Sequence, residues 1–136
     1  MTCPFCPDDS RRTIDSRAHV KVLLSNPRLM PGHLLIVPRR HVEWLAELSA
    51  KERSELFSVV TEYQERIIAR LVGGCDVRQH YRPFQKDGRL KVSHVHIHLQ
   101  PRELHDRLYA ECQTHETSLF EDLSNDEIQK MKKVFS

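Results

Sequence analysis

Apolar positions along the chain follow three rhythms. From Leu56 to Leu71 they recur every three or four residues, at Leu56, Val59, Val60, Tyr63, Ile67 and Leu71, which is one face of an amphipathic helix. Ser49 with Glu52 three residues later has capping-box spacing and marks the start of that helix, while Gly73 and Gly74 mark its end. Two runs, His19–Leu24 and His33–Val37, are rich in β-branched and aliphatic residues and predict strands. The second is almost wholly apolar, so it is expected to be central, with Pro38 as its stop. The third rhythm is strict alternation. It makes Lys91 to Leu99 the best strand in the sequence, with Pro101 as its terminator, and Asp76–Tyr81 supplies another. Residues 1–16 are expected to form a loop, because prolines flank Cys3 and Cys6 and Asp8-Asp9-Ser10 continues the turn signal. Beyond Arg102, Leu104, Leu108 and Cys112 form an apolar stripe. A last helix starts near Ser124, and Ile128, Met131 and Val134 are its expected buried face. The class is α+β: a mainly antiparallel sheet with one long helix packed on it and helical C-terminal segments.

Size and charge narrow the function. A chain of 136 residues favours one domain, residues 1–136, able to bury a core without disulfides. The net charge is only +2 and basic residues are interleaved with acidic ones, which argues against a dedicated nucleic-acid surface. No stretch approaches the roughly 18 apolar residues of a membrane span. The opening Met1-Thr-Cys-Pro-Phe-Cys-Pro7 lacks the basic and apolar parts of a signal peptide. The expected compartment is the cytoplasm, where cysteines serve as ligands or buried thiols rather than disulfides. Cys75 and Cys112 are then expected as small core residues. Cys3 and Cys6 have the spacing of half a zinc site; otherwise they are a mobile pair that binds nothing.

The segment Ser93-His-Val-His-Ile-His-Leu99 carries the chemistry. Side chains in a strand alternate faces, so His94, His96 and His98 share one face while Val95, Ile97 and Leu99 anchor the other. Imidazole titrates near neutrality and can form a covalent intermediate with phosphorus, dividing one hard displacement into two easier ones. A neighbouring imidazole can balance phosphate charge and assist the leaving group. The competing readings are a pure metal site or solvated histidines on an edge strand. Strict alternation with aliphatic residues favours catalysis.

His94-Val-His-Ile-His-Leu-Gln100 and Pro31-Gly-His-Leu-Leu-Ile-Val-Pro-Arg-Arg-His41 together resemble the histidine-triad (HIT) superfamily of nucleotide hydrolases and transferases. The resemblance spans roughly residues 3–102 and leaves 103–136 as a helical C-terminal extension. It implies a five-stranded-type sheet with one long helix. It also implies cleavage at the α-phosphate of a nucleoside phosphoramidate or a dinucleoside polyphosphate such as Ap4A, with a purine nucleotide as substrate. By that resemblance His96 is the nucleophile, His98 contacts the phosphate and leaving group, and His94 orients its neighbours or binds metal. Asn26 falls near the ribose, and Leu24 and Ile36 near the base. The Gly-Gln-Ser or Gly-Gln-Thr segment of many members is replaced here by Asp87-Gly-Arg-Leu-Lys-Val-Ser93. Arg89, Lys91 and Ser93 are the substrate-binding candidates there, the two cations suiting a more negative leaving group. A subset of the family completes a structural Zn2+ site with histidines that correspond to His41 and His94, giving Cys3, Cys6, His41 and His94. A homodimer is the common family assembly. The alternative function is a zinc-stabilised nucleotide-binding or signalling module with little turnover. His33 is expected to hydrogen-bond beside its Pro-Gly turn, and His80 to approach the site from a neighbouring strand.

Overall fold

In the computed structural model, which describes residues 2–136, five short strands, β1 Thr13–Ser16, β2 Val20–Leu24, β3 Leu34–Pro38, β4 Gly74–Arg78 and β5 Ile97–Arg102, build the fold. They form one antiparallel sheet in the order β1-β2-β3-β5-β4. The long helix α1, Ala50–Arg70, connects β3 to β4. Its start is the expected one: Ser49 Oγ accepts the Glu52 N–H at 3.2 Å, and Glu52 accepts the Ser49 N–H at 2.8 Å. Arg40 clamps Glu52 from the end of β3 at 2.8 Å. This contact, with the Ser49 N–H, holds the Glu52 carboxyl at about 2, below the ordinary range.

Alternation sorts the sheet into two faces. Val20, Val22, Leu34, Ile36, Val95, Ile97 and Leu99 meet Leu56, Val59, Val60, Tyr63 and Ile67 of α1 in one apolar core. On the opposite face Leu23, Leu35 and Val37 form a small buried apolar patch, packed against Phe5 of the N-terminal loop. Lys21, only 2% exposed, runs beneath that loop and donates to the Pro7 carbonyl at 2.9 Å. A buried ammonium needs such partners. Among the described residues no helix is long and apolar enough to cross a membrane.

Four expectations need correction. Residues 13–16 are a strand rather than loop. The Thr-Ile-Asp-Ser run has one apolar residue, and β1 is held by pairing with β2 and by Asp15, which accepts from Tyr63 Oη at 2.8 Å. The histidine segment enters the ladder only at Ile97. Residue 95 instead donates its N–H to the Val42 carbonyl at 2.7 Å, and β3 pairs with β5 only through Leu34–Ile36. Pro101 lies inside β5, paired with Cys75 of β4. At that register β3 has ended, so no second neighbour requires the missing N–H. Cys112 is exposed rather than a core residue.

The chain divides into two compact units, the first ending at Leu104 and the second comprising His105–Ser136. The second contains five residues of π-helix (Tyr109–Gln113), the short α2 (Thr114–Glu116) and α3 (Asn125–Val134). Ser124 caps α3 by accepting the Glu127 N–H at 3.2 Å. No residue of α3 is buried, contrary to the face expected from Ile128, Met131 and Val134. Leu104 is likewise exposed.

Candidate active site and metal cluster

The three triad histidines share the loop-covered face although only His98 lies within β5, while Val95, Ile97 and Leu99 belong to the helix-covered core. The ring centroids of His96 and His98 are 4.9 Å apart. Each ring has a defined tautomer because one nitrogen meets a group of fixed polarity. His96 Nδ1 lies 2.7 Å from the His94 carbonyl, so Nδ1 carries the proton and Nε2 keeps the lone pair. His94 donates Nε2–H to the Pro38 carbonyl at 2.8 Å, leaving its Nδ1 lone pair toward the thiols.

His98 is set by a relay through His33. The Leu29 backbone N–H donates to His33 Nδ1 at 3.1 Å, so His33 Nε2 bears the proton and donates to His98 Nδ1 at 2.9 Å. His98 therefore presents Nε2–H. His33 is delivered by the Pro31-Gly32 turn. Gly32 has φ +85°, and a Cβ there would lie 2.3 Å from Leu71 Cδ2 and 3.2 Å from Pro101 Cγ. Register supplies the rest: Leu35 pairs with His98, which puts His33 two residues back on the same face. His80 also reaches His98, with centroids 5.6 Å apart.

Burial keeps these rings neutral near pH 7. It holds His98 at about 3, with the neighbouring His96, His33 and His80 adding to the effect. His33 is held at about 4 by burial and then by His96, and His94 at about 4, mainly by burial. His96 is lowered by burial, against the raising effect of its bond to the His94 carbonyl. A neutral His96 with a free Nε2 lone pair has the protonation state of a nucleophile.

Cys3, Cys6, His41 and His94 converge so that one ligand atom from each lies within 4.8 Å of the others. Cys3 Sγ is 3.3 Å from His94 Nδ1, Cys6 Sγ is 3.3 Å from His41 Nδ1, and Cys6 Sγ is 3.7 Å from His94 Nδ1. Tetrahedral zinc with ordinary Zn–S and Zn–N bonds separates sulfur from nitrogen by about 3.5 Å. With His94 Nδ1 unprotonated, the donor set fits a divalent zinc ion. Phe5, between the two cysteines, packs edge-on against both His94 and His96, at 5.9 and 5.0 Å. That contact was not legible in the sequence, since nothing local ties residue 5 to residue 96.

A cleft of about 490 Å³ adjoins this cluster, lined in part by Phe5, Arg12, Asn26, His41, Arg89, Lys91 and Ser93. It gathers the expected substrate-binding residues Asn26, Arg89, Lys91 and Ser93 in one place, and adds Arg12. Lys91 and Ser93 are tied together through Asp87. Lys91 donates to Asp87 at 3.0 Å and to Ser93 Oγ at 2.7 Å, and Ser93 donates to Asp87 at 2.6 Å. Ile36 faces the helix-covered core and cannot border a base on the triad face.

The family model for the HIT domain matches residues 8–105. The chain belongs to the HIT family. A HIT-family protein from Bacillus subtilis superposes with a TM-score of 0.71 at 18% identity, covering 99% of this chain and 95% of that one. A Zn-bound histidine triad family protein from Mycobacterium smegmatis superposes with a TM-score of 0.60 at 20% identity, covering 71% of this chain and 68% of that one. These likenesses establish the HIT fold. In sequence, the chain is 28% identical over 99 residues to the asymmetrical bis(5'-nucleosyl)-tetraphosphatase of Schizosaccharomyces pombe, with 67% of this chain aligned. The HIT chain spans about half of that relative's length, 52%.

Proposed function

We propose that this protein is a nucleotide hydrolase that cleaves at an α-phosphate through a nucleotidyl–His96 intermediate. The observation that carries the reading is the tautomer of His96: its Nδ1–H is engaged by the His94 carbonyl, and Nε2 is left to attack. In the first step the Nε2–phosphorus bond forms as the bond to the leaving group breaks. The His94 carbonyl stabilises the positive charge that develops on the imidazole. His98, held by His33, donates Nε2–H to a phosphate oxygen or to the leaving group. Water then attacks phosphorus and gives up a proton to solvent, the phosphorus–nitrogen bond breaks with its electron pair returning to His96 Nε2, and a nucleoside monophosphate departs. Asn26 in the adjoining cleft is the residue for the ribose hydroxyls, and Arg89, Lys91 and Ser93 contact the phosphate chain. The tetraphosphatase activity in the name of the S. pombe relative supports a dinucleoside polyphosphate as one substrate.

Cys3, Cys6, His41 and His94 would hold zinc in a closed four-coordinate shell, which supplies structural positioning. His94 then acts from two ends: its Nδ1 as ligand and its carbonyl as the group that orients His96. Protein quenched during turnover of Ap4A and adenosine phosphoramidate tests the reaction. Mass spectrometry is expected to find a nucleotide adduct on His96. Full turnover by His96→Ala, with no adduct on the unmodified protein, overturns the mechanism.

A further inference from the structure

Lys91 lines both the main cleft and a smaller groove that reaches His96. That groove, lined in part by His80, Arg82, Lys91, His96 and His98, shares His80, Arg82 and Lys91 with a second groove that reaches Glu43 and Tyr81. At that end two rings stand together. Trp44 and Tyr81 stack with centroids 5.7 Å apart and planes 26° from parallel. Both are about half exposed, at 48% and 52%. Core aromatic residues bury their rings, whereas this pair keeps an indole and a phenol in water, the presentation of a stacking platform. The platform is anchored at its base, because the backbone N–H groups of Glu43 and Trp44 both donate to Glu47 Oε1, at 3.0 and 3.2 Å.

We propose that Trp44 and Tyr81 form a leaving-group subsite, stacking the second base of a dinucleoside polyphosphate while Arg82 and Lys91 hold the phosphates between that base and His96. The inference rests on the reading of His96 as nucleophile and narrows its substrate class. A leaving group that is ammonia or a small amine would use neither the cations nor the rings. A polyphosphate ending in a base uses both, leaving on its bridging oxygen with the electron pair of the broken bond. Aromatic stacking tolerates any base, so the subsite accepts purine and pyrimidine leaving nucleosides with similar efficiency.

Trp44 is the single tryptophan of the chain, so its fluorescence reports directly on the subsite. A methylene-bridged, non-hydrolysable diadenosine tetraphosphate is expected to change Trp44 emission saturably. AMP and adenosine tetraphosphate, which lack the second base, are expected to leave it nearly unchanged. In kinetics, Trp44→Ala is expected to lower the ratio of kcat/KM for diadenosine tetraphosphate over that for adenosine phosphoramidate by about tenfold, chiefly through KM. Trp44→Phe restores most of it, and Tyr81→Ala gives a smaller loss in the same direction. Emission that ignores the bound dinucleotide, or an unchanged ratio, overturns the subsite. The two readings fail separately: a fluorescence response without turnover or adduct sinks the hydrolase and leaves the subsite, whereas turnover without a response does the reverse.

Discussion

The two faces of the sheet are held in different ways. Under α1 the contacts are aliphatic and continuous, from Val20 and Ile36 through Leu56 and Val59, all fully buried. On the other face Leu23, Leu35, Val37 and Phe5 make a small apolar patch, and polar chemistry supplies the remainder: a buried lysine on a carbonyl, thiols facing imidazoles, and a histidine relay. Apolar burial is non-directional and tolerates little else in the same space. A face closed by directional contacts can keep imidazoles partly desolvated yet next to a cleft. The chemistry therefore sits where the hydrophobic packing is thinnest.

The comparison can be tested most severely on the catalytic side. His96→Ala is expected to reduce kcat by about four orders of magnitude while thermal unfolding stays within a few degrees, because the ring contributes little to the apolar core. On the opposite face Leu56→Ala is expected to cost about 3 kcal/mol in a urea titration. A cost under about 1 kcal/mol would contradict the close packing inferred there. Cys6→Ser separates the two modes of closure. Bound zinc, measured by elemental analysis, is expected to fall from one equivalent to near zero, and kcat/KM by about tenfold. Amide exchange should rise around residues 3–9 and remain slow in α1.

The faces also respond to acid in different windows. His33 and His98 titrate at about 4 and about 3 in the folded protein, below the roughly 6.5 of an unfolded chain. Between these values the unfolded chain binds more protons, so their contribution to stability is complete above pH 6.5 and is lost as pH falls toward 4 and then 3. Glu52, at about 2 when folded, gives way only below its ordinary value near 4.5. Thermal unfolding followed from pH 7 to pH 5 should show a drop of several degrees that His98→Gln reduces. The smallest effect is expected from Ser49→Ala, which removes one cap of α1 for about 1 kcal/mol. It should leave the pH profile of turnover unchanged.

Features coded locally were the ones legible in the sequence. The periodicity of Leu56 to Ile67 and the Ser49–Glu52 spacing placed α1 to within a residue at its start, because both signals act within a few residues. The shared face of His94, His96 and His98 followed from alternation, and the convergence of Cys3 and Cys6 with His41 and His94 followed from family resemblance. What escaped depends on partners distant in sequence. β1 has no apolar alternation and exists because β2 offers an edge. Pro101 reads as a stop until the end of β3 is known. The full partnership of His33 requires β3 to lie beside β5 in one particular register, and Phe5 reaches His96 only because the loop folds back. In the C-terminal unit the helical spacing of Ile128, Met131 and Val134 predicted a helix correctly, yet spacing alone could not say whether anything covers it.

The turn at Gly32 makes position 32 a hidden determinant of the proposed turnover. An L-residue there meets a left-handed backbone, at a cost of roughly 1–2 kcal/mol, as well as the flank of Leu71 and the ring of Pro101. The next residue along is the imidazole that fixes the tautomer of His98. A substitution at this backbone hinge would therefore scramble which nitrogen of a neighbouring ring bears its proton. An assay would record a damaged acid–base group although every titrating side chain is intact.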